Sequence, residues 1–329
     1  MIVAMAIIGT VLPVHGVGTS IGTWLSRVMV ACLFFLYGTR LERSEAIAGV
    51  RHWRLHAVIL ACTFVVFPLI GLALAPLSPH VIAPELYRGI LWICVVPGTV
   101  QSAVNLTSIA RGNIGGAVVA SSLSNMLGVV VTPLLAMLLM RTTGLAIAAS
   151  SILDIVAQVL APFVLGQALR RWCAPFVLGH PNLKYFDQAT IALVVYLAFS
   201  EAITQHVWSR TSVGQVLVII AVALVILGAM LWFTWLLAGW LHFARRDQIA
   251  IQFCGTKKSL TSGVPMAYIV FPAATVGLIV LPLMIFHQAQ LMACSVLASR
   301  YGAKDESWHR EGDGEPGAQA ARADQRPSA

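Results

Sequence analysis

Charge is scarce in this chain. Of its 329 residues, 10% are Asp, Glu, Lys or Arg and 58% are hydrophobic, and the mean hydropathy is +0.84. Soluble domains carry about 25% charged residues, so a wholly water-facing surface is excluded and the chain reads as a polytopic membrane protein. Acidic residues are the rarer sign, thirteen in all. A cation/proton exchanger needs an intramembrane acidic pair, and Asp154 and Glu201, which read as interfacial, are poor material for one. The six cysteines (Cys32, Cys62, Cys94, Cys173, Cys254, Cys294) are scattered singly, without metal or redox spacing, and packing is the role left to them. No Walker loop or haem motif occurs, so ATP coupling and catalysis lack support. His52 and His56 stand four apart, but Trp53, Arg54 and Leu55 between them supply no glutamate, and zinc binding is not expected.

What is present is long apolar sequence. At about 20 residues per span, it divides into ten runs: 1–13, 20–40, 53–75, 84–110, 113–140, 149–172, 186–206, 213–242, 247–270 and 273–300. The first run has no basic leader of the kind a cleavable signal carries. It is also short, and a start upstream of Met1 stays open. The net charge of +8 fits basic cytoplasmic loops better than nucleic-acid binding. With the N-terminus inside, inner loops collect twelve basic residues: Arg40, Arg43, Arg51, Arg54, Arg111, Arg170, Arg171, Lys184, Arg245, Arg246, Arg300 and Lys304. Outer loops and ends hold four, Arg27, Arg88, Arg141 and Arg210. That asymmetry obeys the positive-inside rule and sets ten spans in a bacterial cytoplasmic membrane, both termini cytoplasmic. Residues 302–329 turn to Gly, Ala, Pro and mixed charge, and read as a disordered tail.

One stretch breaks the apolar pattern: Phe253-Cys-Gly-Thr-Lys-Lys-Ser-Leu-Thr-Ser-Gly-Val-Pro265. On insertion scales a lysine at the centre of a membrane helix costs about 2.5–3.5 kcal/mol, yet two stand side by side here among glycine and proline breakers. Ten residues separate Arg246 from Lys257, roughly 15 Å of helix, a depth that disfavours simple snorkelling. Earlier, Gly98, Thr99 and Ser102 match Gly255, Thr256 and Ser259 at a constant offset of 157 residues. A unit of five helices ends on the side opposite its start, so its second copy inserts inverted. The expectation is two repeats, about 1–141 and 149–301, with the fourth and ninth helices interrupted at midplane. Arg111, Gly112 and Asn113 fit a tight turn between the fourth and fifth spans, glycine for the turn and asparagine for capping.

Taken together, FCGTKKSLTSGVPM, TVQSAVNLTSIARGN, SLSNMLGVVVTPLL and FFLYGTRL resemble the bile acid:sodium symporter superfamily, most closely its SBF-like branch, over about residues 1–301. The resemblance implies a ten-helix transporter domain made of a panel and a core, with the fourth and ninth helices broken and crossing in the core. Characterised members carry organic anions with sodium. In those carriers the ninth helix supplies a glutamate and amide residues to sodium. Here the stretch from Phe253 to Ser259 has an apolar residue at the glutamate and lysines at the amides. The fifth helix of the carriers gives hydroxyl ligands near Ala117 and Ser121, and only Ser121 keeps an oxygen.

These residues define a candidate substrate and ion site: Thr99, Gln101, Ser102, Asn105, Ser121, Asn125, Thr256, Lys257, Lys258, Ser259 and Thr261, with Ser102 and Ser121 as candidate sodium ligands. The lysines bind an anion, replace a sodium ion with an ammonium, or are structural; the sequence leaves all three open. The polar residues either line the crossing or serve as ordinary interhelical hydrogen bonds. The leading expectation is a secondary transporter of a small organic anion, not an enzyme, with sodium as a candidate coupling ion and no other cofactor. The alternatives are a non-transporting membrane regulator with the same fold and a proton-coupled carrier or cation/proton exchanger. Oligomeric state is not readable.

Overall fold

A computed structural model describes residues 2–40, 52–141, 156–180, 182–204 and 212–313, and its elements are helices. They are α1 (Ile2–Val11), α2 (Val17–Arg40), α3 (Trp53–Ala61), α4 (Phe67–Ala73), α5 (Pro84–Val95), α6 (Gln101–Ile109) and α7 (Ile114–Arg141). Then come α8 (Ala161–Ala168), α9 (Arg170–Gly179), α10 (Leu183–Thr204), α11 (Val213–Trp240), α12 (Arg245–Thr256), α13 (Leu260–Val270) and α14 (Ala273–Asp313). A wide π turn, Cys62–Val66, joins α3 to α4. Among the described residues, six helical runs are long and apolar enough to cross a membrane. α11 presents Leu217, Leu224, Val225, Trp232, Leu236 and Trp240 outward, an apolar stripe that water would not tolerate and lipid would cover. This is an integral membrane protein.

Close crossings fix the packing. α2 meets α8 where glycines face each other: a Cβ on Gly38 would collide with the Phe163 carbonyl, and one on Gly166 with that of Phe35. Small residues of this kind let membrane helices approach backbone to backbone. The turn at 111–113 forms, with Asn113 Oδ1 accepting from the Gly116 N–H at 2.8 Å as the cap of α7. Its left-handed residue is Arg111 (φ 57°), not glycine. Gly112 is required for space instead, since a Cβ there would lie 2.6 Å from Ile249 of α12.

Two helical runs are interrupted, for different reasons. α5 stops at Val95 because Pro97 follows: the residue before proline is pushed to extended backbone, and Val96 has φ −68° and ψ 150°. The second interruption, between α12 and α13, has no proline at it. Lys257 is extended (φ −81°, ψ 146°), while Gly263 and Pro265, expected as breakers, lie inside α13. Here tertiary hydrogen bonds, described below, hold the chain open. The 157-residue register is also inexact, because Gly98 and Thr99 fall in the first gap while Gly255 and Thr256 still close α12.

At the C-terminal end, helix α14 continues to Asp313, so the expected domain boundary at 302 falls inside a helix. Residues 314–329, Asp154 and the start of the sixth apolar run lie outside the described residues.

Candidate functional site

Both gaps expose backbone groups, and an unpaired buried amide or carbonyl at membrane depth costs several kcal/mol. The chain satisfies them one by one. The Gly98 N–H donates to Ser124 Oγ at 3.1 Å, and Asn125 Nδ2 donates to the Gly98 carbonyl at 2.8 Å. Thr132 Oγ1 donates to the Val95 carbonyl at 2.9 Å. The gaps touch directly, the Ser259 N–H donating to the Pro97 carbonyl at 2.8 Å. From α14, Gln290 grips the Lys258 peptide with its whole amide, accepting from the N–H at 2.8 Å and donating to the carbonyl at 2.8 Å.

A cavity of about 620 Å³ opens beside the gaps. Seven of the residues singled out from sequence line it: Thr99, Gln101, Ser102, Asn105, Asn125, Ser259 and Thr261. Thr99 Oγ1 and Ser102 Oγ are 2.7 Å apart, and Ser262 Oγ donates to Asn125 Oδ1 at 2.8 Å, so hydroxyls from both broken runs form one polar wall. The lining also takes in Tyr37 and Arg40 of α2, Phe163 of α8 and Asp187 of α10. Arg40 pairs with Asp187.

The other four candidates lie elsewhere. Ser121 donates to Cys254 Sγ at 3.6 Å, and Thr256 Oγ1 meets Thr234 Oγ1 at 3.2 Å. The cavity lining therefore holds Ser102 but not Ser121. Lys257 and Lys258 are both fully buried, and neither is part of the lining. The Lys258 ammonium donates to the carbonyls of Thr63 at 3.0 Å, Cys94 at 3.1 Å and Val96 at 3.0 Å. That of Lys257 has no hydrogen-bond partner among the described residues. Lys257 is extended, and in extended backbone successive side chains point to opposite sides, which separates the two ammonium groups.

The helix ends are sorted by polarity. α6 and α13 begin at the cavity, where their N-termini carry partial positive charge, and α5 ends at Lys258, where its C-terminus carries partial negative charge.

Residues 1–303 match the model of the SBF-like CPA transporter family. The chain belongs to the SBF-like CPA transporter family. It is 47% identical over 305 residues to "Uncharacterized protein PA2026" of Pseudomonas aeruginosa, covering 92% of each chain. It is 44% identical over 283 residues to "Putative symporter YfeH" of Escherichia coli K12, covering 86% of this chain and 85% of the relative. It is 31% identical over 277 residues to "Sodium/bile acid cotransporter 7" of the rat, covering 83% and 82%. Membership of the SBF-like family makes this a transporter rather than an enzyme.

One sequence pattern gains its meaning only in this light. Gly18–Gly22 spells Gly-x-Ser-x-Gly, the spacing of a hydrolase nucleophile elbow. An elbow needs a sharp strand-to-helix turn, whereas these residues lie inside uninterrupted α2. Sequence reading passed over Arg40, Asp187, His287 and Gln290. In sequence Arg40 counts among the basic residues of the inner loops. The polar tract His287-Gln-Ala-Gln290 inside an apolar run was the available signal for the last two.

Proposed function

We propose that this protein is a secondary active transporter that carries a small organic anion across the bacterial cytoplasmic membrane by alternating access. The observation that carries the reading is that α6 and α13 both start at the wall of one polar cavity. A helix N-terminus holds roughly half a positive charge and unpaired N–H groups, and that of α6 has no side-chain cap. Arg40 adds to the lining a guanidinium shared with Asp187, a group of the kind that suits a carboxylate or sulfate. The relative named as a putative symporter favours secondary transport, and the one named as a sodium/bile acid cotransporter favours an organic anion as cargo.

In this reading the apolar runs are ten spans in two inverted repeats, about 1–141 and 149–301, with both termini in the cytoplasm. α1, α2, α8, α9 and α10 form the panel: α2 packs on α8, α9 and α10, and α1 on α10. The remaining helices form the core, tied together by the hydrogen bonds at the two gaps, and the core moves against the panel with the cavity between them.

The test is a thermal-shift screen of carboxylate and sulfate metabolites on the purified protein, followed by uptake of each hit into proteoliposomes. Gln101→Trp, which fills the cavity, and Asn105→Leu, which removes a polar contact, are expected to lower uptake at least roughly tenfold, the loss of one hydrogen bond to a charged group. Uptake unchanged in both variants refutes the site. A regulator that does not transport gives no uptake of any hit and tolerates substitution at Thr99, Ser102 and Ser259.

A further inference from the structure

The ammonium of Lys258 is held as a free cation would be held. Its three N–H donors meet three main-chain carbonyls, those of Thr63, Cys94 and Val96, at 3.0–3.1 Å. The ring of Phe67 covers another side, its centroid 4.0 Å from the nitrogen, within cation–π range. Each carbonyl is available for a reason that can be traced. The Gly98 N–H that a continuous helix would aim at the Cys94 carbonyl is turned to Ser124 instead. Val96 lies just past the end of α5, where carbonyls lack helical donors. Thr63 sits in the π turn: the Phe67 N–H goes to Cys62, and the next residue, Pro68, has no N–H to give.

The oxygens of this cage are neutral, and its negative character comes from peptide dipoles and the end of α5. Such a set suits a monovalent cation, as carbonyl rings in channel filters do, and lacks the carboxylates a divalent ion prefers. We propose that the cage formed by Thr63, Cys94 and Val96 is a monovalent-cation site that the chain keeps filled with its own lysine, so that no sodium ion is needed to load it. The two candidate sodium ligands stand apart from one another, since Ser102 lines the cavity and Ser121 is engaged with Cys254. The inference rests on the cage alone and does not depend on the cargo assigned above.

The experiment removes the tethered cation and offers free ones. Full-length wild type, Lys258→Ala and Lys258→Met are purified in choline chloride. Their unfolding temperatures are followed while choline is exchanged for sodium, potassium or n-propylammonium at constant ionic strength. Lys258→Ala leaves the oxygens facing an empty volume, whereas Lys258→Met fills it with an uncharged chain. The expected result is a saturable rise of several degrees in Lys258→Ala with at least one of the three cations, and no response in wild type or Lys258→Met. Identical, flat responses of Lys258→Ala and Lys258→Met overturn the proposal. Retention of radioactive sodium by the wild-type protein is measured in parallel, so the test survives if Lys258→Ala does not accumulate. No saturable retention is expected, and saturable retention by wild type also overturns the proposal.

Discussion

Gln290→Leu is the sharpest probe of how the second helix gap is held. No proline opens that gap, and the bond from Gln290 to both polar groups of the Lys258 peptide takes the place of helical pairing. Leucine has a similar volume and reaches neither group. It strands a buried N–H outright, a loss of about 1–3 kcal/mol. The Lys258 carbonyl keeps only His287 Nδ1 at 3.3 Å, which adds roughly 1 kcal/mol. Exchanging an amide for a buried methyl pair returns about 1 kcal/mol. The net is a destabilisation of roughly 1–3 kcal/mol, on the order of a few degrees in unfolding temperature. Gln288→Leu, on the exposed side of the same helix, is the control and is expected to shift stability by less than about 0.5 kcal/mol. Thermal unfolding of both variants in one detergent gives the comparison. If Gln290→Leu unfolds within about a degree of Gln288→Leu, the gap is held by something other than this amide, and the account of why α12 ends at Thr256 fails.

Three further outcomes are expected. Lys257→Met removes a buried ammonium that has no hydrogen-bond partner among the described residues, and it should stabilise the protein by about 1–3 kcal/mol, as uncharged replacements of buried charge often do; a lower unfolding temperature would show that Lys257 is paired. Asn125→Ala withdraws the donor from the Gly98 carbonyl and the acceptor from Ser262, and should cost about 2–4 kcal/mol. Ser124→Ala, which strands only the Gly98 N–H, should cost about 1–3 kcal/mol, and equal losses in the two variants would argue against this division. Arg40→Ala should weaken binding of an anionic hit roughly tenfold or more, with only partial recovery in Arg40→Lys because the planar fork is lost; calorimetric titration of the purified variants decides.

Much of the site was legible because polar residues in a membrane chain have few innocent explanations. Thr99, Gln101, Ser102, Asn105, Ser259 and Thr261 stood out against apolar surroundings, and they line one cavity. The first gap was legible from Gly98, Thr99 and Ser102, which mirror the second stretch at a fixed offset. The second was misattributed to Gly263 and Pro265, since its cause, Gln290, lies some 30 residues away in sequence and acts only through folding. Likewise Arg40 at the end of α2 looks like any loop charge until Asp187, from another helix, is brought against it. The cation cage was illegible for a deeper reason. It is built from carbonyls that every residue possesses, and what distinguishes those of Thr63, Cys94 and Val96 is the absence of their usual donors.

That absence explains why the two lysines are adjacent and yet behave so differently. A continuous helix through residues 245–270 would pair its own carbonyls and aim the two side chains about 100° apart, with no acceptor prepared for either. Opening the chain between α12 and α13 instead sends the Lys258 ammonium to the negative end of α5, and the same opening gives α13 a fresh N-terminus at the cavity. One interruption therefore creates an anion-favouring helix end and delivers a cation to the other broken run. Neutralising the α5 end matters most when the cavity holds negative charge, because the partial charge of a carbonyl terminus would otherwise repel it through a medium with little screening. It follows that Lys258→Met, even if it folds with wild-type stability, should bind an anionic cargo more weakly, although the residue it replaces never touches the cavity. Equal affinity in wild type and Lys258→Met, measured by calorimetry on the same hit, would separate the cage from the cavity and leave the lysine a purely structural pin.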